Sequence, residues 1–461
     1  MVLHLRWFII SYRRRSFITN LLLAILILWS IHVFIRYITN ITSIVTTPTP
    51  SSTSTNILLR NKRVVVQKFY NDSEYRKQVF EKRIKRLSQV VTKSRTVAFN
   101  NKSIAFPYYN VHIFYYAWYG NIKFNNDFNH WNHQYIPSWK KQHKIRINRK
   151  HHEAPLDIGS NYYPSLGCYS SRDPNVIQTH MRQMEFAGVG VTVVSWTPPR
   201  MKDSPHDLLP SLFYYASENN MKITLHVEPY FNRNPANMAK HLSDFFDNYM
   251  NHPALYKINI TSTTGTTRSL PVIYVYDSYL TPFIAWKELL SVKGNISIRG
   301  TKYDALYIGL LVDVQHRYHI KKSHFDGFYT YFASNGFSYG STWKNWNNLA
   351  KFASQNQLIF VPSVGPGYID TQVRPWNSVN TRHRRHGQYY DVAWRSAISS
   401  RARYISITSF NEWHEGTQIE PTQPRSVTGF TYLDYTPEGS DLYLNLTKYW
   451  VGQFYHSREK H

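Results

Sequence analysis

The chain has 461 residues, of which 42% are hydrophobic and 16% aromatic, and this length and apolar content are ample for a large core. The formal charge of +26 would suit a nucleic-acid or anionic-membrane ligand, but thirteen of the basic residues fall between positions 60 and 102, against three acidic ones. The remaining excess is scattered rather than arranged in a stripe, so we expect no nucleic-acid partner.

The amino terminus contains an apolar run at residues 17–35, FITNLLLAILILWSIHVFI, which is long enough to span a bilayer. Four arginines precede this run and only Arg36 follows it closely, so the positive-inside rule keeps the amino terminus in the cytosol. A cleaved signal peptide is the alternative, but the run is long and no small-x-small cleavage site follows it. We therefore predict a cytosolic tail at 1–16 and a transmembrane signal anchor at 17–36.

The next stretch, residues 37–104, is predicted to be a luminal stem. Residues 42–56 are rich in Ser, Thr and Pro, a composition that cannot bury a core and suits an extended, O-glycosylated segment. Acceptor sequences for N-glycosylation, which fit a luminal protein, stand at Asn40, Asn71, Asn101, Asn259, Asn295 and Asn445. Cys168 is the only cysteine, so no intrachain disulfide is possible and the fold must depend on its core.

From residue 105 onward, short apolar runs rich in Val, Ile and Tyr alternate with stretches of helical periodicity. The predicted strands are 111–119, 190–196, 222–230, 270–279, 305–312, 325–333, 358–364 and 404–410. The predicted helices are 173–187, 208–219, 234–250, 281–292, 314–323, 341–357, 389–401 and 440–456. Because the strands are continuously apolar, they indicate a parallel sheet covered by helices on both faces.

Eight strands, nearly all followed by a helix, predict an α/β fold, a single (β/α)8 TIM-type barrel at residues 105–461, with a doubly wound open sheet as the alternative. A barrel of this kind places its active site at the carboxyl ends of its strands. Aromatic and polar residues do collect at the carboxyl ends of the predicted strands, as in residues 115–121 (YYAWYGN) and 226–230 (HVEPY). Aromatic rings stack on the apolar faces of sugars, so this composition favours a carbohydrate ligand.

After the last predicted strand comes SFNEWHEG at residues 409–416, in which two carboxylates, Glu412 and Glu415, stand three residues apart beside Trp and His. Carboxylate pairs beside aromatic rings are typical of enzymes that cleave glycosidic bonds, whereas a solvated loop with two ordinary glutamates is the alternative. In a turn with helical dihedral angles this spacing brings the Cβ atoms within about 5–6 Å, but in a strand the two side chains face opposite ways. A shared site therefore requires that the strand end by Asn411.

Other chemistries find little support in the sequence. It contains no Asp-x-Asp, no Gly-x-Ser-x-Gly, and no second His that would complete a zincin motif around residues 414–418. His130, His133, His151 and His152 are conceivable metal ligands, but no matching Cys, His or Asp set accompanies them. We therefore expect neither a metal nor a cofactor.

The chain from about residue 108 to 424 resembles glycoside hydrolase family 99, the endo-α-1,2-mannosidases. The stretches that carry the resemblance are FYYAWYGN (114–121), HWNH (130–133), YYPSLGCYSSRDP (162–174), HMRQMEFAGVGVTVVSW (180–196), HVEPY (226–230), YVYDSY (274–279), FDGFYTYFASNGFSYGS (325–341), FVPSVGPGYIDTQVRPWN (360–377) and ITSFNEWHEGTQIE (407–420). The resemblance implies a retaining endo-hydrolase that cuts an α-1,2 bond between two mannoses of glucosylated high-mannose N-glycans on glycoproteins. It would release a glucosyl-mannose unit, acting in the lumen as a single-pass type II protein of the Golgi membrane.

The resemblance also implies roles for individual residues. Glu412 would be the general base on the substrate's own 2-hydroxyl, giving a 1,2-anhydro-sugar, and Glu415 would be the general acid on the leaving oxygen and then the base toward water. This division of labour requires Glu412 ionised and Glu415 protonated when substrate is bound, so their pKa values must be held apart. The implied sugar-binding residues are Tyr116, Trp118, His226, Glu228, Tyr276, Tyr329 and Arg374.

One position departs from the family pattern. Between Trp196 and Pro198 the family commonly has an aromatic residue that contacts the sugar on the non-reducing side, and here this position is Thr197. We therefore expect weaker discrimination between glucosylated and unglucosylated glycans. A catalytically weak or inactive, lectin-like relative of the same barrel is the alternative function.

Overall fold

The computed structural model describes residues 107–138, 151–201, 203–261 and 265–459. The predicted tail, anchor and stem lie outside these ranges. Within them, no helix combines the length and the apolar character needed to cross a bilayer.

The described strands are mostly short, buried and parallel. In chain order they are β1 (Tyr108–Tyr115), β2 (Val189–Trp196), β3 (Lys222–Val227), β4 (Lys257–Thr261), β5 (Thr267–Val275), β6 (Leu306–Leu310), β7 (Gly327–Tyr329), β8 (Ile359–Val361), β9 (Ser363–Val364), β10 (Ile405–Ile407), β11 (Ser426–Val427) and β12 (Phe430–Thr431). The side chains of β2, β6 and β10 are buried along their whole length, as expected for strands covered on both faces.

The strands form a nearly closed parallel barrel. Parallel pairing runs from β10 through β1, β2, β3, β5, β6 and β7 to β8, and β9 pairs with β10 on the other side. Only Pro362, which has no N–H to donate to a ladder, separates β8 from β9, so the two together act as one interrupted barrel strand. Counted in this way, the barrel has eight strands, and the predicted (β/α)-barrel architecture is confirmed.

Helices cover the outside of the barrel. They are α2 (Pro174–Phe186), α3 (Leu209–Glu218), α4 (Pro235–Tyr249), α5 (Phe283–Leu290), α6 (His316–Lys322), α7 (Trp346–Gln355), α8 (Gln388–Ser399) and α9 (Leu442–Glu459). A short helix, α1 (Ile122–Asn125), precedes them in the loop after β1 and has no buried residue. The sequence marks several of their starts: Asp173 caps α2 and Asn234 caps α4, and in both cases Pro follows at the first helical position.

The structure departs from the expected elements at the ends of strands and in elements that were not predicted, among them α1, β4, β11 and β12. The strands end earlier than predicted: β1 ends at Tyr115 rather than at residue 119, and β10 ends at Ile407 rather than at residue 410. Their last predicted residues leave the sheet and build the mouth of the barrel. The antiparallel strand β4 was not predicted, because most of its side chains are polar and exposed and it pairs only with β5, outside the barrel.

Aromatic rings fill the barrel interior below the mouth. The ring of Phe114 lies 4.8 Å from the ring of His226 and 5.6 Å from that of Tyr329. Deeper in the barrel, His112 Nδ1 is 2.6 Å from the hydroxyl of Tyr274, and burial lowers the pKa of His112 to about 3. This packed layer is a rigid floor for whatever binds above it.

Candidate active site

A cavity of about 320 Å³ lies at the carboxyl ends of the barrel strands. Its lining residues are Tyr116, Trp118, His130, His133, Ile136, His226, Glu228, Tyr276, Tyr331, Val373, Arg374, Glu412, His414 and Glu415. Several follow a strand directly, as Tyr116 follows β1 and Tyr276 follows β5. The cavity therefore occupies the position at which a (β/α) barrel holds its chemistry.

The two glutamates stand on one turn that follows β10. The strand has ended by Asn411, as the shared site requires, and both carboxylates line the same cavity. The amide of Glu412 donates to Ser409 Oγ at 2.8 Å, and Thr417 N donates to the carbonyl of Glu412 at 3.3 Å. These bonds close the turn on itself.

The same turn is fastened to its neighbours at both ends. The side chain of Asn411 accepts from the amide of Tyr116 and donates to its carbonyl, both at 2.8 Å. At the other end, Ile369 N donates to the carbonyl of Glu415 at 2.8 Å. Gly416 follows with a φ of +58°, and a Cβ at this position would lie 2.7 Å from the Ile369 carbonyl oxygen. The turn thus has little freedom to move its carboxylates.

Glu412 and Glu415 differ in their electrostatic surroundings. Burial, together with the charge of Glu415, raises the pKa of Glu412 well above its ordinary value, although the His414 amide donates to its Oε1 at 3.1 Å. Burial also raises the pKa of Glu415, but the guanidinium of Arg374, whose Nη1 is 3.5 Å from Glu415 Oε1, counteracts this. Both carboxyls therefore hold a proton more readily than an exposed glutamate does, and it is Glu415 that has a guanidinium 3.5 Å away to favour its ionised form.

Arg374 is held in place by the buried carboxylate of Asp370, to which it donates at 3.1 Å. Asp370 Oδ2 also accepts from the hydroxyl of Tyr368 at 2.9 Å and from Asn377 Nδ2 at 2.8 Å. The guanidinium is therefore a fixed positive charge beside Glu415 rather than a mobile surface group.

The opposite wall combines a carboxylate with an imidazole. Glu228 Oε1 accepts from Ser195 Oγ and lies 2.9 Å from His226 Nδ1. His226 Nε2 is 2.6 Å from the hydroxyl of Tyr329, which is fully buried beneath the cavity floor and does not line the cavity. Tyr331, one layer higher, lines it instead: its ring stacks on His226 and its hydroxyl is hydrogen-bonded to that of Tyr116.

A third wall consists of aromatic and imidazole rings. Trp118 stacks on His130 with ring centroids 4.6 Å apart and planes 2° from parallel, and His133 packs against His414 at 4.6 Å. His414 Nδ1 donates to the carbonyl of Gly159 at 2.8 Å, and burial keeps the pKa of His414 well below its ordinary value. In the described ranges no group of three or more His, Cys, Asp or Glu side chains is arranged to hold a metal ion.

Thr197 lies outside the lining of this cavity. It is partly buried, its carbonyl accepts from Ser204 Oγ at 2.8 Å, and its own hydroxyl has no hydrogen-bond partner among the residues that the structure describes. The loop that it begins borders a second, polar cavity of about 230 Å³, and Trp118 lines both cavities.

The structure brings most of the predicted site residues together. Those that line the cavity are Tyr116, Trp118, His226, Glu228, Tyr276, Arg374, Glu412 and Glu415. Sequence reasoning did not assign the lining residues His130, His133, Ile136, Tyr331, Val373 and His414 to a sugar site. His414 could have been found from its place between the two glutamates, whereas Ile136 comes from a loop that carries no pattern, and Val373 is an apolar side chain that its stretch of sequence does not mark as a ligand contact.

The comparisons with known proteins agree with one another. The model of the family described as "Glycosyl hydrolase family 99" matches residues 107–456. The chain is 49% identical over 350 residues to the mouse (Mus musculus) glycoprotein endo-alpha-1,2-mannosidase, and the aligned region covers 75% of each of the two chains. It is 44% identical over 357 residues to a human (Homo sapiens) glycoprotein endo-alpha-1,2-mannosidase-like protein, covering 77% of each. The solved GH99 endo-alpha-mannosidase from Bacteroides thetaiotaomicron matches with a TM-score of 0.70 at 41% identity, over 76% of this chain and 98% of that one.

Proposed function

This chain belongs to glycosyl hydrolase family 99 and is a glycoside hydrolase, and from that premise we propose that it is a retaining endo-α-1,2-mannosidase. Its substrates would be glucosylated high-mannose N-glycans, from which it would release a glucosyl-mannose unit. The observation that carries this proposal is the placement of Glu412 and Glu415 on one rigid turn, in a cavity lined by aromatic rings.

The proposed reaction has two steps, and the enzyme forms no covalent bond to the sugar. In the first, the axial 2-hydroxyl of mannose attacks C1 from the face opposite the α leaving group. Its proton passes to Glu412 while Glu415 protonates the departing oxygen, which leaves a 1,2-anhydro-sugar. In the second, Glu415 removes a proton from water, the water oxygen attacks C1, and Glu412 returns its proton to O2 as the three-membered ring opens. Two inversions give net retention.

Substrate binding must leave Glu412 ionised and Glu415 protonated. In the free site burial raises the pKa of both carboxyls, whereas the first step needs Glu412 as a carboxylate. A 2-hydroxyl that donates a hydrogen bond to Glu412 stabilises its ionised form, so the pKa of Glu412 falls when the mannose binds. We infer that the proton is then held by Glu415, next to the glycosidic oxygen.

The other lining residues suit the hydroxyl-rich faces of mannose. Tyr116, Trp118 and Tyr276 offer rings or hydroxyls, while Glu228 and Arg374 offer charged hydrogen-bonding groups. Thr197 offers no ring on the non-reducing side, so glucosylated and unglucosylated glycans would be distinguished only weakly. His226, buttressed by Tyr329, would act as a fixed support for the sugar bound above it.

The location of the enzyme is proposed from the sequence. The apolar run and the arginines before it support a single-pass type II protein of the Golgi membrane, with residues 105–461 in the lumen. A protease-protection experiment on intact vesicles tests this, because cleavage of the barrel by external protease would contradict a luminal position.

The experiment that tests the activity incubates the full chain with a glucosylated high-mannose glycan and sizes the products. A released disaccharide or longer unit supports an endo-acting enzyme, a single mannose would mean an exo-mannosidase, and binding without cleavage would mean a lectin-like protein. Glu412→Gln and Glu415→Gln should each lower kcat by about 10²–10⁴, the usual worth of a general acid or base. Glu438→Gln is the matched control, because Glu438 pairs with His386 away from the cavity.

A further inference from the structure

Behind the turn that carries Glu412 and Glu415 lies a further carboxylate, that of Glu420, which does not line the cavity. Glu420 is 1% exposed. Its Oε2 accepts from Trp413 Nε1 at 3.0 Å and from the hydroxyl of Tyr169 at 2.8 Å, and its Oε1 lies 3.1 Å from Nε2 of the fully buried His180. Nδ1 of the same histidine is 3.0 Å from the hydroxyl of Tyr115.

Trp413, one of these donors, is part of the turn itself. It stands between the two glutamates in the sequence, its ring is fully buried, and its amide lies 3.1 Å from the hydroxyl of Tyr119. Its carbonyl accepts from Gly416 N at 3.2 Å. The next residue, His414, supplies the amide that donates to Glu412 Oε1. Since the Trp413 backbone is part of this hydrogen-bonded turn, a shift of the buried Trp413 side chain would strain the turn on which both carboxylates stand.

A buried carboxylate is costly unless several donors surround it, and apolar side chains of similar size often fill such a space at lower cost. Core packing alone therefore does not account for an acid at position 420. The carboxylate does, however, fix the orientation of the groups around it. Both hydrogen bonds to Oε2 come from buried donors, and one of these donors is the indole N–H of Trp413 in the turn.

We propose that Glu420 is a positioning residue for the Glu412–Glu415 pair, acting through Trp413, with His180 and Tyr169 fixing the direction of its own carboxylate. The inference rests on the proposed function of the two glutamates. Glu420 touches no substrate, so its loss should lower kcat and leave substrate affinity nearly unchanged.

The donors and acceptors around Glu420 predict how two substitutions at this position will differ. In Glu420→Gln the amide oxygen can still accept from Trp413 and Tyr169, and the amide nitrogen can donate to His180 Nε2 once that ring shifts its proton to Nδ1 and donates to Tyr115. Trp413, Tyr169 and His180 keep their partners and only the Tyr115 hydroxyl proton loses its acceptor, so this variant should keep kcat within about three-fold of the unsubstituted chain. In Glu420→Leu the Trp413 N–H loses its carboxylate acceptor and keeps only the longer contact with the Tyr169 hydroxyl at 3.2 Å, and a displaced turn should lower kcat by about 10²-fold.

The test compares kcat, KM and calorimetric affinity for the glucosylated glycan in the full chain and its variants. Loss of kcat in Glu420→Leu with unchanged affinity, together with retention in Glu420→Gln, supports the proposal. Asp326→Leu is the control for general destabilisation, since this carboxylate accepts from Arg299 and from the Tyr307 amide at the opposite end of the barrel. It should lower the thermal midpoint without changing kcat.

Other outcomes overturn the idea. If Glu420→Leu folds and keeps kcat, Glu420 has no positioning role. If it does not fold, Tyr169→Phe decides, because this change removes one donor to Glu420 and one contact of the Trp413 N–H; an unchanged kcat there refutes the proposal. Normal turnover in Glu412→Gln and Glu415→Gln would instead refute the proposed function, and the two failures are thereby distinguished.

Discussion

Replacement of Arg374 by Gln tests how the site sets the proton affinity of its two glutamates. Arg374 Nη1 lies 3.5 Å from Glu415 Oε1, and its charge lowers the pKa of Glu415 and, more weakly, that of Glu412. Gln keeps some hydrogen-bonding capacity but carries no charge. The substitution therefore isolates the electrostatic contribution of the guanidinium.

The expected magnitude follows from the distance and the exposure of the pair. At 3.5 Å an effective dielectric constant of about 20 gives an attraction of about 5 kcal/mol. The side chains of Arg374 and Glu415 are 26% and 23% exposed, so solvent screening reduces this attraction to about 1–2 kcal/mol. Since one pKa unit corresponds to about 1.4 kcal/mol, the pKa of Glu415 should rise by about one unit.

The sign of the effect on activity is determined by the same argument. A cation favours the carboxylate, so its removal raises the pKa values of both glutamates, and the singly protonated pair that the reaction needs forms at higher pH. The bell-shaped profile of kcat/KM against pH should move to higher pH by about one unit. Arg382→Gln, in which the lost guanidinium donates only to backbone carbonyls such as that of Asn335, should leave the profile in place. A profile that stays fixed in Arg374→Gln, or moves to lower pH, would refute the reasoning.

Three further substitutions test other parts of the structure. His112, with its pKa lowered to about 3, binds a proton more readily when unfolded, so its contribution to stability is complete above about pH 6.5 and is lost as the pH falls. In His112→Phe the free energy of unfolding, measured with urea, should fall less steeply between pH 6 and 4, by up to about 1.4 kcal/mol per pH unit; an unchanged slope would contradict this. Gly416→Ala should lower stability by about 1–2 kcal/mol because of its positive φ, and should also lower kcat because the new Cβ meets Ile369, as thermal unfolding and steady-state assays would show. Thr197→Tyr should increase the ratio of kcat/KM for glucosylated over unglucosylated glycan, and an unchanged ratio would mean that this position does not contact the outer sugar.

The sequence predicted the barrel because its signals are local. Apolar runs, the Asp-Pro and Asn-Pro helix starts and the alternation of strand and helix are all properties of short segments. The antiparallel strand β4 was not predicted because its side chains are mostly exposed, so its segment carries no apolar run. The strand ends were misplaced by a few residues because chain that leaves the sheet to form the mouth is as apolar and aromatic as the strand before it.

The sequence also identified most of the site, but not which layer of it meets a ligand. Tyr329 and Tyr331 stand two residues apart and both point into the barrel, and only the structure shows that Tyr329 lies beneath His226 while Tyr331 lines the cavity. Two-residue alternation gives the face of a strand and says nothing about depth.

By itself, then, the sequence determined the barrel, the family and the turn that carries Glu412 and Glu415, since these depend on residues that are neighbours in the chain. Only the tertiary structure decided how burial and Arg374 shift the pKa values of the two glutamates, and that Glu420 stands behind them. Both depend on water exclusion and on distances to Arg374 and His180, which are far from the motif in the chain and meet it only in the folded barrel.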